Sequence, residues 1–413
     1  MTQSRLRVQL EPTGLTPGLD ELEATIQANV RRFAQRIMRP AAEELDRLAP
    51  DAVVAPGSAY WRMFGEFGAL GLTLDTIFEL PPEQQGRLIM VAFEELGYGD
   101  GGLAVALGAS MVPQIVAHQM GRVDLLQRYA DYQLGCWGIT EPDHGSNMLD
   151  TSGHARYPGL RHGRANCMAK IEGDTIVING QKSAWVSNGP TAQLCALFCG
   201  QDDGSDEEHR CVVLVPLDLP GVSRGKPLDK IGQRALPQGE LYFDNVRVPL
   251  DHLLAGAERY AEAEYRVLAE ANALMGAIWT GAARAAYEHT FAYVHQRKQG
   301  GVAIIQHQSV RQRLFHMFRK VEAARALSWN ALVFNHTQPM PALQGSIAAK
   351  VTATQTSFEV ASEAIQLFGG NGLTKEYPVE RLLRDARASM IEDGCNELLT
   401  IKGGALLADP ERL

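Results

Sequence analysis

The sequence has no excess of basic residues, no Cys-x-x-Cys spacing and none of the short signatures that mark common hydrolases, metalloenzymes or nucleotide-binding loops. Each absence excludes something. With 39 Lys plus Arg against 48 Asp plus Glu the formal charge is −9, so broad attraction to nucleic acid or an anionic membrane is not expected. Cys136, Cys167, Cys195, Cys199, Cys211 and Cys395 lie mostly inside apolar runs and read as reduced, packed thiols with no zinc or other metal site. His-Glu-x-x-His, a Walker-type loop and a Gly-x-Ser-x-Gly elbow are all missing. The opening residues carry Arg5 and Arg7 with no apolar core behind them, so no secretory signal is expected. The charge-free stretch Gly101–His118 contains Gly108, Ser110, Pro113 and Gln114 and reads as a buried helix, giving an expected cytoplasmic location without membrane insertion.

What is present is ordinary globular composition, 45% hydrophobic and 21% charged over 413 residues, enough for two or three domains. Asp20 and Glu23 form a capping pair before Leu22, Ile26, Val30, Phe33 and Ile37, a helical spacing that Pro40 and then Pro50–Gly57 should interrupt. Tyr60–Leu72, Glu83–Leu96 and Leu103–Met120 again favour helix. Near Cys136 the character changes to short β-type runs at Thr175–Ile178, Cys195–Cys199, Cys211–Leu217 and Glu240–Val248, with Asn179-Gly180 as a hairpin turn. Beyond Asp251 long helical patterns return, as in the stripe Val310, Leu314, Met317, Val321 and Ala324. The expected organisation is α+β and multidomain: a helical domain over 1–132, a β domain over 133–255 and a helical bundle over 256–413. Gly369-Gly370-Asn371-Gly372 follows a helical run, where a Rossmann loop would follow a strand, so a dinucleotide fold is rejected.

A set of blocks gives this order a specific meaning. They are Thr140-Glu141-Pro142-Asp143-His144-Gly145-Ser146-Asn147, Ile178-Asn179-Gly180-Gln181-Lys182, Trp185-Val186-Ser187-Asn188-Gly189, Gly232-Gln233-Arg234 and Phe243-Asp244-Asn245-Val246-Arg247-Val248-Pro249. Arg297 with Gln308, Gln366-Leu367-Phe368-Gly369-Gly370-Asn371-Gly372 and Glu376-Tyr377-Pro378-Val379-Glu380-Arg381 leading to Arg384-Asp385 complete the set. In these blocks the chain resembles the acyl-CoA dehydrogenase superfamily of flavoproteins. The resemblance implies an N-terminal helical domain, a middle β domain and a C-terminal four-helix bundle, with FAD as cofactor. It implies that Thr140 and Ser187 face the isoalloxazine edge, that Trp185 covers one face of the ring and that Ser146 reaches the pyrophosphate. It also implies that Arg297, Gln308, Gln366 and Gly370 are supplied by a neighbouring subunit of a homodimer or homotetramer.

The departures carry the functional question. Where the family has a catalytic Glu, Ile391-Glu392-Asp393-Gly394-Cys395 places Asp393, a carboxylate shortened by about 1.5 Å, and shifts of that size matter to rate. Glu392 reads as a neighbour pointing away from Asp393, and Glu270, beside the alternative base position at Ala271, reads as a lesser candidate. Asn272 and Thr400 stand where basic residues usually help hold CoA. The segment 151–171 is long and carries Arg156, Arg161, Arg164 and Lys170 without an acid, so it reads either as a lid for an anionic group or as a solvated loop. The expected activity is α,β-dehydrogenation of an acyl thioester on CoA or a carrier protein, with an unusual acyl group and with electron-transfer flavoprotein or oxygen as acceptor. Nitroalkane oxidase, which resembles the chain in its Asp base and in Gly300-Gly301, gives the alternative; two of its active-site residues would fall at Thr400 and Ala271. A reduced-flavin monooxygenase is disfavoured by the carboxylate itself, and a scaffold without FAD by the intact flavin blocks.

Overall fold

In the computed structural model, which describes residues 14–15, 18–150, 163–204 and 208–409, the chain runs from helices to a sheet and back to helices. The first helix, α1 (Glu21–Phe33), opens on the expected capping box: Asp20 accepts from the Glu23 backbone N–H at 2.8 Å and Glu23 from that of Asp20 at 3.0 Å. Pro40 does not interrupt the rod. The chain passes without a break through a π-helical turn at Ala34–Met38 into α2 (Arg39–Leu45), and this wider turn directly before Pro40 accommodates its ring and missing N–H. The rest of the N-terminal part comprises α3 (Pro50–Val53), α4 (Ala59–Gly68), α5 (Leu74–Phe78), α6 (Pro82–Gly99), α7 (Gly101–Gln119) and α8 (Val123–Arg128). By length and composition α7 could cross a membrane, yet most of it is buried between α6, α9 and the sheet.

The sheet has β1 (Gly135–Gly138), β2 (Met168–Glu172), β3 (Thr175–Ser187), β4 (Leu194–Asp202), β5 (His209–Pro216), β6 (Val222–Arg224), β7 (Gln238–Pro249) and β8 (Leu253–Ala255). Its order is β6-β7-β3-β2-β4-β5-β8, with β1 added parallel to β4. Asn179-Gly180 is not a hairpin turn. β3 runs straight through it with a bulge against β7, and Gly180 takes φ +120° because the backbone of Asn166 and Cys167 leaves no room for a Cβ. The turn between β2 and β3 lies instead at Gly173, φ +66°.

The C-terminal part holds α9 (Tyr260–Gln296), a small hairpin β9 (Lys298–Gln299) and β10 (Val302–Ala303), then α10 (Gln308–Thr337), α11 (Leu343–Phe368), α12 (Val379–Ser389) and α13 (Asn396–Ala408). Of the stripe expected on α10, Leu314, Met317, Val321 and Ala324 are buried against the bundle and Val310 is half-buried. α9 packs on α6, α7, α10 and α11 and touches β5, so this helix joins all three parts. Three ties then fix α12 and the loop after it. Arg384 grips Asp46 with both terminal nitrogens, at 2.9 and 2.8 Å, Arg381 pairs with Asp100, and Asp385 accepts from the Gln233 backbone N–H. The Gly232-Gln233-Arg234 and Arg384-Asp385 blocks are thus two halves of one clamp, with Arg234 also donating to the Asp46 and Leu48 carbonyls at 2.8 and 3.0 Å.

Candidate active site

A cavity of about 660 Å³ opens where α7, α9, the sheet and the α12–α13 loop converge. Its sheet side begins with the motif blocks. Lys182 on β3 donates to Glu141 at 2.6 Å and to the Ile139 carbonyl at 3.2 Å, both side chains of the ion pair being fully buried. The Ser183 backbone N–H reaches the Thr140 carbonyl at 2.8 Å, so the two blocks are stitched side by side and Thr140 is set on the cavity wall. Further along β3, Gln238 of β7 donates to the Ser187 hydroxyl at 3.2 Å. Asn188 turns the chain at φ +62°, with its amide held by the Ala106 carbonyl at 2.8 Å and its oxygen by Tyr60 at 3.0 Å.

Thr140, Ser146, Trp185 and Ser187 therefore line one cavity, brought from β3 and the segment after β1. Trp185 is 57% exposed, large for an aromatic ring beside a cavity. Trp137, also on the wall, has a buried indole N–H with no partner among the described residues. An unsatisfied donor, a bare aromatic face and two hydroxyls suit a flat ring with polar edges. Arg297, Gln308, Gln366 and Gly370 are not on this wall; all four are exposed at the ends of bundle helices.

Opposite lies the loop Met390–Cys395. Asp393 takes φ +51° and Gly394 φ +92°, a left-handed pair that Asp and Gly tolerate better than most residues. The loop is held from three directions. Lys350 on α11 donates to the Gly394 carbonyl and to Asn396, each at 2.8 Å, Asn272 on α9 donates to the Asp393 carbonyl at 3.3 Å, and the Cys395 backbone N–H reaches the Ser146 hydroxyl at 3.0 Å. Asp393 and Glu392 both line the cavity, contrary to the expectation that Glu392 points away; the extended alternation that would part neighbours is lost at Asp393, whose own φ is left-handed. Glu392 accepts from the Gln233 side chain at 2.8 Å.

Enclosure sets the electrostatics. Both carboxyls keep some surface, but that surface faces the cavity while protein surrounds the rest. Burial pushes Asp393 up to about 6, against the pull of the Lys350 ammonium. Glu392 is pushed up to about 7 by burial and by the charge of Asp393. Lys350, itself fully buried, is lowered to about 8 by burial, the two acids acting the other way. Such an arrangement offers a base near neutrality, backed by a cation that does not touch it.

Lys350, Gln233 and Trp137 were not singled out from the sequence as site residues. Lys350 had a signal: with Ile347, Thr354 and Ser357 it sits at three- and four-residue spacing on a buried helix face, where a lone Lys is costly. Asn272 has no room to reach a ligand's phosphate, being fully buried and used on the loop, and Thr400 is exposed and bonded to the Glu397 carbonyl. Of the basic segment, Arg156 and Arg161 lie outside the described residues. Arg164 pairs with Asp202 at 3.3 Å and Lys170 with Glu172 at 3.2 Å, so acids from outside the segment balance both.

Comparison with known proteins agrees with this architecture over most of the chain. The N-terminal, middle and C-terminal domain models of acyl-CoA dehydrogenase match residues 20–131, 136–246 and 263–404. A probable acyl-CoA dehydrogenase of Bacillus subtilis, YngJ, is 28% identical, the match covering 92% of this chain and 96% of that one. The structure of butyryl-CoA dehydrogenase from Megasphaera elsdenii is similar with a TM-score of 0.82 at 25% identity, covering 95% of this chain and 100% of that one. Nitroalkane oxidase shares the fold with a TM-score of 0.82 at 20% identity, over 97% and 98% of the two chains.

Proposed function

Because the chain belongs to the acyl-CoA dehydrogenase family, we propose that it is an FAD-dependent enzyme that removes two hydrogens from an acyl thioester, with Asp393 as the base. The observation that carries this is the placement of Asp393, its carboxyl raised to about 6, in the same cavity as Thr140, Trp185 and Ser187. When bound, the flavin supplies the acceptor for the hydride leaving the β-carbon. The chain does the rest. Thr140, Ser187 and the Trp137 N–H would hold the ring's polar edge, Trp185 would cover a face and exclude water, and the Ser146 hydroxyl, which accepts from the Cys395 N–H, would donate to the phosphates. The Asp393 carboxylate takes the α-proton, its ionised form favoured by Lys350 and its basicity by burial. The exposed Arg297, Gln308, Gln366 and Gly370 complete the adenine half of the site from a second subunit of a homodimer or homotetramer.

Neither of the groups expected beside a nitroalkane-oxidase Asp is available, since Ala271 has no hydroxyl and Thr400 is exposed with its hydroxyl on the Glu397 carbonyl. The test is anaerobic: the flavin-loaded protein is mixed with a panel of acyl-CoAs and with nitroalkanes, and loss of flavin colour is followed. Bleaching by an acyl-CoA is expected. Bleaching by nitroalkanes alone would overturn the assignment, and subsequent admission of air separates an oxygen-using enzyme from one that needs an electron-transfer flavoprotein.

A further inference from the structure

One wall of the cavity is made by α7 and α9. From α7 it takes Val105, Gly108, Ala109, Val112 and Ile115, and from α9 Val267, Glu270, Ala271, Leu274, Met275 and Ile278. Every one is apolar or small except Glu270. At Gly108 a Cβ would press on Leu274, so the glycine lets that side chain of α9 pack directly on α7. This is the wall against which an acyl chain would lie, and a carboxylate stands in it.

The partners of Glu270 define what it can still bind. Its side chain keeps 17% exposure, on the cavity side, and one oxygen faces His336 Nε2 at 3.4 Å. His336 Nδ1 lies 3.2 Å from the oxygen of Gln85, whose amide nitrogen is committed to the Leu80 carbonyl at 2.8 Å. That fixes the orientation of the Gln85 amide, so both imidazole nitrogens face acceptors, an environment that favours the doubly protonated ring. Glu270 and His336 pair with each other; burial lowers His336, but the Glu270 charge and hydrogen bond together carry it above its ordinary value, and the same pairing lowers Glu270 despite its own burial. The second carboxylate oxygen keeps its acceptor capacity toward the cavity. A cationic substrate group would meet a carboxylate already neutralised, and a plain hydrocarbon chain would strip water from that oxygen with no replacement, which is unfavourable. A neutral donor satisfies both conditions.

The geometry points to Glu270 as the specificity residue for an acyl group that carries a hydroxyl, donated to the free Glu270 oxygen from a carbon beyond the two that react. The inference rests on the acyl-thioester reading above. It is tested on the flavin-loaded full chain by anaerobic reduction with hexanoyl-CoA, 5-hydroxyhexanoyl-CoA and 6-hydroxyhexanoyl-CoA, comparing for each the rate constant of flavin reduction divided by the dissociation constant. A hydroxyacyl-CoA should be preferred by about 10- to 100-fold, the range of a hydrogen bond to a charged acceptor. Glu270→Leu should reverse that ratio, and Glu270→Gln, which keeps shape and an acceptor oxygen, should reduce it by less. A ratio between substrates does not depend on how much protein folds, so a merely structural Glu270 would leave it unmoved. Equal use of the three by the wild type, or a ratio unchanged in both variants, overturns the inference while leaving the dehydrogenase reading intact. If Glu270→Gln abolishes reduction by every substrate, Glu270 is a base and the inference is again wrong. Reduction by none of the acyl-CoAs would sink the acyl-thioester reading, and this one with it.

Discussion

Two buried lysines stand on either side of the cavity, and they do opposite things. Lys182 touches its carboxylate, Glu141, at 2.6 Å, and Glu141 also accepts from the backbone N–H groups of Asn166 and Cys167. Charge and hydrogen bonds are closed there, and the result is a rivet between two motif blocks. Lys350 spends its hydrogen bonds on neutral oxygens, the Gly394 carbonyl and Asn396, and so Asp393 and Glu392 have no direct ion pair among the described residues. A cation nearby but not in contact tunes an acid without immobilising its proton. The same pair of residue types therefore builds stiffness at one site and proton affinity at the other, the difference being who accepts the ammonium's hydrogen bonds.

The comparison breaks most visibly at the rivet. Lys182→Met leaves Glu141 buried and unpaired, and should cost about 3–5 kcal/mol of stability, read by denaturant unfolding; the double change with Glu141→Leu should recover much of it. If Lys182→Met unfolds like the wild type, the pair is no rivet. Asp393→Asn keeps the shape of the base and removes its function: flavin should stay bound with an unaltered spectrum while its reduction slows by at least ~10²-fold. A wild-type reduction rate in that variant would move the base elsewhere, first to Glu392 or Glu270.

The smallest effect concerns pH. The rate of reduction should rise with pH as the base ionises, in steps near 6 and 7 that belong to the Asp393–Glu392 pair and not to either residue alone. Lys350 lowers Asp393, so Lys350→Met should move the rising limb to higher pH, by about one unit. A limb that stays put would show that Lys350 only holds the loop. The sign for stability is the reverse of the usual carboxylate: with a folded value near 6 above an ordinary 3.8, Asp393 favours the folded state when protonated, and that contribution is lost as pH rises through this window.

Much of this was legible in residue order. The capping box at Asp20, the helical–β–helical sequence and the stripe on α10 follow from local chemistry and spacing, which survive folding, while the blocks at Thr140, Trp185 and Ser187 were readable only through the family resemblance. Where local rules failed, a tertiary neighbour had overruled them. Pro40 passes because a π-helical turn precedes it, and Asn179-Gly180 stays in a strand because β2 and β7 flank it on both sides. Asp393 was visible as a carboxylate in the right register, but its left-handed φ, a conformation that favours Asp over longer acids, was not.

Sequence by itself thus determined the element types and their order and, through the family resemblance, pointed to Asp393 as a candidate acid. Only the tertiary structure decided that Glu392 shares the cavity, that Lys350 stands behind the loop without touching its acids, that Asn272 is a brace, and that Glu270 is the one charge in an apolar wall. The reason is range. Caps, turns and helical stripes are settled within a few residues of chain, whereas burial, proton affinity and the partners of a charge depend on groups 40 to 160 positions away, such as Lys350 for Gly394 or Gln233 for Glu392, which no spacing rule brings together.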